Sequence, residues 1–332
     1  PVVMIDAEDA LAPTDAAASQ GRLDAIDALS TPPGQAGSPS LRFFRPPGLA
    51  LGTTAREVFS ILWGLAERHG PAALPLDGVV IPKLDHPEEV DFVHEMLLEA
   101  ERGLGIEEGS IRTAYLVESA ACVDQLGEIA VRASDRLCAL IFGLADYSAD
   151  LGLPSIASDH LLADWARACM INAAAAIGVP AIDGMTLAYP VSDPTLGAEA
   201  DRTRFLDRMA LVYEDATRAQ ECGMQGKWVG HPAQLFAVLL AFDSAFTPEA
   251  LEREAAKLDA YATAVDEAGS GVTVIEGVMS DRATDRHARV LLRRATAMGR
   301  FDTDRALQLG VIDASESDEL VHGGSTDGGS GG

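Results

Sequence analysis

Short apolar runs alternate along the chain with longer segments whose apolar residues recur every three or four positions. The runs Pro1–Ile5, Leu41–Phe44, Gly78–Ile81, Ile111–Val117, Leu137–Phe142, Pro180–Leu187 and Gly226–Gly230 predict strands. Between them, the periodicity predicts helices over Asp15–Leu29, Ala55–His69, Pro87–Arg102, Cys122–Ser134, Asp159–Ile177 and Glu199–Cys222. In Cys122–Ser134, for example, Val123, Leu126, Ile129, Ala130 and Val131 fall on one helix face. Thr31–Ser40 (TPPGQAGSPS) reads as a loop. Beyond the last predicted strand come helices over Ala233–Phe242, Pro248–Ala268, Asp285–Met298 and Asp302–Leu309, with a small extended piece at Val272–Ile275. The end of the chain, GGSTDGGSGG from Gly323, reads as flexible.

Strict strand–helix alternation implies an α/β protein with parallel strands. At 332 residues the expected architecture is a (β/α)8 TIM barrel followed by a C-terminal helical lid segment. We expect the barrel over residues 1–242, the lid over 243–310 and a flexible tail over 311–332. Closure needs an eighth strand. The expectation is that the first strand is absent from the chain as given, or that another segment fills its place. An open doubly wound sheet is the alternative fold. It is weakened because no GxGxxG or P-loop pattern follows a strand.

Charge narrows the partners. The formal net charge is −26, and lysine occurs only at Lys83, Lys227 and Lys257. Such a surface repels nucleic acid and anionic membranes, so neither is expected as a partner. An anionic substrate needs a local basic patch against this field. Cys122, Cys138, Cys169 and Cys222 form no CxxC pair and read as buried free thiols of a reducing compartment. With no visible signal peptide and no apolar run of membrane-spanning length, the cytoplasm is the expected location.

Candidate chemistry lies at predicted strand ends, where ligands bind in parallel α/β folds. Glu118 follows one strand, and Asp146 comes just past the next. Two converging carboxylates suit Mg²⁺, which takes one or two protein carboxylates plus water and substrate oxygens. The competing reading is that each carboxylate caps the helix after its strand. Asp6, Glu8 and Asp9 follow the first strand, Arg45 the second and Lys83 the third, and Arg42 lies within the second.

IDAEDAL (Ile5–Leu11), GVVIPKLD (Gly78–Asp85), YLVESA (Tyr115–Ala120), IFGLADYSADLG (Ile141–Gly152), GMQGKWVGHPAQL (Gly223–Leu235) and IEGVMSD (Ile275–Asp281) occur in this order. Together they make the chain resemble the citrate lyase β-subunit and malyl-CoA lyase family, the HpcH/HpaI aldolase superfamily, related to malate synthase. The resemblance runs from Pro1 to about Ala295. It implies a TIM-barrel lyase dependent on Mg²⁺ (with Mn²⁺ as a substitute) that cleaves a 3-hydroxyacyl-CoA such as malyl-, citramalyl- or citryl-CoA to an acyl-CoA and a 2-keto acid.

Carried over by position, the resemblance makes Glu118 and Asp146 the metal ligands. It makes Arg42 or Arg45 the arginine that polarises a substrate oxygen, with Phe44 standing where the family usually has Asn. Lys83 matches the lysine of a P-K motif, with a rim salt bridge as its plain alternative. Asp6, Glu8 and Asp9 match an acidic cluster that supports the metal. Asp281 matches an acid/base aspartate carried on a lid into a neighbouring subunit, which implies a homo-oligomer, a trimer or hexamer. Its plain reading is an N-cap, a role Asp285 could fill instead. Gly226, Lys227 and His231 match an element that shapes the barrel top. The same site could serve a malate synthase or malyl-CoA thioesterase outcome, or persist in a catalytically silent barrel subunit. The segment containing Asp281 speaks against a class II sugar-acid aldolase.

Overall fold

The computed structural model describes residues 2–8, 14–31, 41–268, 272–275 and 278–322. It divides into two units, with the boundary between Val238 and Leu239.

The first unit is a seven-stranded parallel sheet whose strands lie in chain order. They are β1 (Val2–Asp6), β2 (Leu41–Arg45), β3 (Gly78–Ile81), β4 (Arg112–Val117), β5 (Leu137–Phe142), β6 (Ala181–Asp183) and β7 (Gly226–Lys227). Helices α1 (Asp15–Ser30), α2 (Thr54–His69), α3 (Pro87–Leu104), α4 (Ala120–Arg132), α5 (Leu144–Asp150), α6 (Leu161–Ile177) and α7 (Ala198–Glu221) connect them, and α8 (Pro232–Asp243) follows β7. Adjacent strands are about 4.8 Å apart, so a flat sheet would separate β2 from β7 by about 24 Å. Instead the Arg45 guanidinium, at the end of β2, lies 5.1 Å from the ring of Trp228, just past β7. The sheet is therefore curled as a TIM-type barrel wall.

Period-two alternation splits the side chains of this wall. Phe43, Val80, Ala114 and Leu116 form an inner cluster with Met4, Cys138, Ala139, Ile141 and Trp228 packed against it. Phe44, Val79, Ile81, Tyr115, Val117 and Phe142 belong to the larger core between strands and helices. Local chemistry sets the helix ends. Pro87 opens α3 behind a capping box in which the Glu89 carboxylate accepts from the His86 N–H at 2.9 Å, and Gly105 closes the helix in the left-handed region at φ 68.

The expected elements are present, with β6 and β7 shorter than predicted and the seven-residue α5 added. Cys222 is exposed rather than buried. Its position at the end of α7 leaves the thiol outside the core. No helix among the described residues is long and apolar enough to cross a membrane.

The second unit holds α9 (Pro248–Ala268), an antiparallel hairpin of β8 (Val272–Ile275) and β9 (Val278–Asp281), α10 (Arg282–Ala297), α11 (Thr303–Gln308) and α12 (Ala314–His322). Leu251, Ala255 and Leu258 of α9 pack with Ala288, Leu292 and Ala295 of α10. Val311 and Ile312, where a flexible tail was expected to begin, are instead buried in this core, and α12 follows them. The Gly/Ser segment from Gly323 lies outside the described residues.

Candidate active site

Alternation along the strands decides which polar side chains reach the barrel mouth. Asp6 and Glu8 continue the inward series of Met4, Glu118 that of Ala114 and Leu116, and Arg45 that of Phe43. Arg42 has the opposite parity. It turns to the helix layer, where its Nη2 donates to the Thr31 carbonyl at 2.7 Å and its Nη1 to the Leu29 carbonyl, closing the end of α1. Of the two candidate arginines, only Arg45 joins the group at the mouth.

Arg45 is 5 % exposed and heavily engaged. Its Nε and Nη2 make a fork to Asp6 at 2.8 and 2.5 Å, and its Nη1 pairs with Glu8 Oε2 at 2.9 Å. Lys83 Nζ pairs with the other Glu8 oxygen at 3.0 Å. Glu8 thus bridges the two basic groups of the site. Trp228 stacks on Arg45 and fixes the plane of its guanidinium. Asp9 lies outside the described residues.

Glu118 stands at the C-terminal end of β4 and is 4 % exposed. Lys83, in the left-handed region at φ 51, aims its backbone N–H at Glu118 Oε1 at 2.6 Å. A non-glycine residue held there stores strain of about 1–2 kcal/mol, a pattern concentrated at functional sites. Gly143, at the end of β5, leaves room for the other carboxylate oxygen, since a Cβ there would lie 2.7 Å from Glu118 Oε2. Next to Glu118, Ser119 Oγ caps α4 by accepting from the Cys122 N–H at 3.1 Å and donates to Asp85 at 2.5 Å. The cap thus belongs to Ser119, and Glu118 is left for another role.

Burial, followed by the charges of Glu8 and Asp146, pushes the Glu118 carboxyl up to about 7, against the lowering effect of Lys83. A crowded, buried group of carboxylates is the electrostatic setting that a cation relieves. Among the described residues, no three Asp, Glu, His or Cys side chains close on a single point. The oxygen donors Glu118 and Asp146 would therefore supply part of a coordination sphere, and Mg²⁺ completes such a sphere with water and substrate. The residues fit that ion. A cavity of about 390 Å³ is lined by Leu144, Ile156, Met185, Leu187 and Asp215, among others.

A second buried network lies at the ends of β6 and β7; of its members the sequence singled out only Lys227, in an element expected to shape the barrel top. Lys227 Nζ contacts Asp183 at 2.6 Å, the Gly184 carbonyl at 2.7 Å and Asp215 at 2.9 Å, while Arg167 holds the other Asp183 oxygen at 2.7 Å. Lys227 is saturated, which suits a structural role. The Trp228 N–H donates to the Asp183 carbonyl at 2.9 Å, so this network seats the ring that stacks on Arg45. Trp228 was missed in the sequence, where the only signal is an aromatic directly after Lys227 at a strand end.

In the second unit, Asp281 caps α10. Its Oδ1 accepts from the N–H groups of Ala283 and Thr284 at 2.9 and 3.1 Å. Asp285 instead pairs with Arg289 at 2.9 Å.

Comparison with known proteins shows the family and the fold. The model of the HpcH/HpaI aldolase/citrate lyase family matches residues 2–196. An L-malyl-CoA/β-methylmalyl-CoA lyase of Cereibacter sphaeroides is 30 % identical over 311 residues, covering 89 % of this chain and 87 % of the relative. A citrate lyase structure from Burkholderia xenovorans superposes with a TM-score of 0.72 at 24 % identity, covering 92 % of this chain and 87 % of that one. The CitE protein of Mycobacterium tuberculosis, in complex with magnesium, acetoacetate and coenzyme A, gives 0.60 at 24 % identity, covering 89 % and 90 %. The chain belongs to the HpcH/HpaI aldolase/citrate lyase family of carbon–carbon lyases.

Proposed function

We propose that this protein is a Mg²⁺-dependent lyase that cleaves a malyl-CoA-like 3-hydroxyacyl-CoA thioester (malyl-, citramalyl- or citryl-CoA) to an acyl-CoA and a 2-keto acid. The observation that carries this reading is the mouth of the barrel. There the buried Glu118, lifted to about 7 by burial and by its acidic neighbours Glu8 and Asp146, sits against Lys83, with Arg45 across Glu8. The malyl-CoA lyase relative supports the substrate class, and the magnesium in the Mycobacterium tuberculosis complex supports the metal.

Glu118 and Asp146 would hold Mg²⁺, or Mn²⁺ in its place, as a Lewis acid on the substrate hydroxyl and carboxylate oxygens. Arg45, fixed by Asp6, Glu8 and Trp228, stabilises negative charge that develops on the thioester oxygen as the C–C bond breaks. Lys83, whose side chain is 43 % exposed, binds a substrate carboxylate. Cleavage takes one proton from the substrate hydroxyl and places one on the carbon next to the thioester. We assign the second step to Asp281 as general acid, supplied from a neighbouring subunit of a homotrimer or homohexamer by the lid over 243–310. Asp6, Glu8 and Asp9 support the group without touching the reacting atoms. The enzyme would work in the cytoplasm.

The test is product analysis with purified protein. Malyl-, citramalyl- and citryl-CoA are offered in turn, and glyoxylate, pyruvate or oxaloacetate is followed together with free CoA, with and without EDTA. Keto acid released without free CoA, and lost with EDTA, is the expected result. Free CoA without keto acid would replace the lyase assignment with thioester hydrolysis. No turnover would refute the assignment in favour of a silent barrel.

A further inference from the structure

Asp150 stands at the wrong end of its own helix. It is the last residue of α5, where the helix dipole disfavours an acid, and α5 has no basic side chain in its last turn. Its carboxylate reaches instead to the start of α4. Asp150 Oδ2 accepts from the N–H of Ala120, the first residue of α4, at 2.7 Å. The first N–H groups of a helix have no partner within it, and negative charge is favoured beside them. The acid misplaced on α5 is therefore well placed on α4.

This contact joins the two carboxylates that follow β4 and β5. Glu118 immediately precedes Ser119, the cap of α4, and Asp146 lies in the first turn of α5. Strand pairing stops short of both. The β4–β5 ladder ends at Val117 and Phe142, with one further bond from the Gly143 N–H to the Val117 carbonyl at 2.9 Å. Beyond it, the α4 side is tied to the loop after β3. The Lys83 N–H holds Glu118 at 2.6 Å, and Ser119 Oγ donates to Asp85 at 2.5 Å. α5 is less constrained. Its seven residues are too few for a helix to stand alone. Its buried Leu144 and Tyr147 hold it by apolar contact, which is non-directional. A rotation of about 10° about the helix axis moves a carboxylate about 5–6 Å from that axis by about 1 Å. Asp146 and Asp150 are four residues apart and share a face of α5. The bond from Ala120 to Asp150 therefore opposes the rotation that would carry Asp146 out of place.

We propose that Asp150 is a positioning residue that sets where Asp146 stands relative to Glu118 for binding a divalent cation. This rests on the metal assignment above and adds a residue that touches neither the cation nor the substrate. Mg²⁺ demands near-ideal octahedral geometry, so an error in the separation of two ligands weakens its binding. A carboxylate accepting from a backbone N–H is a strong and directional partner, suited to fixing that separation across two helices.

The experiment measures Mn²⁺ binding by electron paramagnetic resonance, with no substrate present. It compares the wild type with Asp150→Ala, Asp150→Asn, Ala120→Pro and Asp146→Ala, and melting temperatures without metal check that each is folded. Asp150→Ala should weaken Mn²⁺ binding about 10- to 100-fold. Asp150→Asn keeps an oxygen that accepts from Ala120 and should bind Mn²⁺ nearly as the wild type does. Ala120→Pro removes the donor and leaves the charge of Asp150. Proline suits the first position of a helix, and Ser119 before it is already extended, at φ −139 and ψ 158. This variant should match Asp150→Ala, and the two changes combined should be no weaker than either alone. Wild-type Mn²⁺ binding in Asp150→Ala or in Ala120→Pro overturns the proposal. Equal weakening in Asp150→Asn and Asp150→Ala also overturns it, because charge and not the hydrogen bond would then act. Binding lost in Asp146→Ala but untouched by the changes at Asp150 and Ala120 removes the positioning role and leaves the metal pair. Binding untouched by Asp146→Ala removes the pair itself, and the proposal with it.

Discussion

Gly143→Ala tests whether the position of the Glu118 carboxylate matters. A Cβ at residue 143 would lie 2.6 Å from Glu118 Cβ and 2.7 Å from Oε2. Packed carbon atoms need about 3.5–4.0 Å, so the carboxylate or the end of β5 must move by roughly 1 Å. The backbone does not oppose the change, because φ at Gly143 is −99, so the effect is steric. Overpacking of this kind costs about 1–3 kcal/mol of stability. A misplacement of about 1 Å at a reacting centre lowers the rate on the order of 100-fold. The assay is a Mg²⁺ titration of thioester cleavage with the variant, checked by its melting temperature. We expect half-saturation by Mg²⁺ to rise and kcat/KM to fall by roughly 10- to 100-fold. Gly127→Ala is the control. Gly127 is exposed on α4 with no atom within 4 Å of a new Cβ, so this change should stabilise the protein by about 0.5–1 kcal/mol and keep full activity. Wild-type Mg²⁺ dependence and turnover in Gly143→Ala would refute the claim that the Glu118 carboxylate must stay where the fold puts it.

Four other substitutions probe separate links. Asp281→Asn keeps a good N-cap and removes the acid, so the melting temperature should barely change while turnover falls; retained turnover would leave Asp281 only its cap. Asp146→Ala should abolish metal-dependent turnover without unfolding the barrel, and full activity would refute its assignment as a ligand. Lys227→Met strands Asp183 and Asp215 without their cation and should cost about 3–5 kcal/mol in denaturant unfolding; a loss below about 1 kcal/mol would mean the network is not a keystone. Burial raises the Glu101 carboxyl, but Arg136 and the N–H groups of Gly109 and Ile111 outweigh it and hold it below the usual range. A depressed carboxylate stabilises the fold fully above its unfolded pKa, and that stability is lost as pH falls through the folded value. Glu101→Gln should therefore lower stability near neutrality and flatten the curve below about pH 4, and an unchanged acid limb in urea melts would contradict this.

The sequence was most legible where one strong period ruled. β3 and β5 occupy the predicted residues because each is a short apolar run bounded by turn residues. α5 was missed because seven residues are too few to display a helical period. β9 was missed because only two residues of Val278–Asp281 are apolar. Between Arg42 and Arg45, alternation already held the answer. Arg45 shares parity with Phe43, which packs inside the barrel, but that face is identifiable only once Phe43 and Phe44 are seen in different clusters. That Glu118 and Asp146 follow the ends of β4 and β5 was legible because apolar runs stop where strands do. The Asp183–Lys227–Asp215–Arg167 network was not, since its members lie far apart in the chain and no spacing rule joins them. Trp228 and Gly143 act through neighbours brought together by the curl of the sheet.

The most direct test of the metal assignment is anomalous diffraction at the manganese edge from crystals grown with Mn²⁺. The account predicts one strong peak at the barrel mouth, at bonding distance from carboxylate oxygens of Glu118 and Asp146, that disappears in Asp146→Ala. A peak held by other residues, or one that persists in that variant, would contradict it.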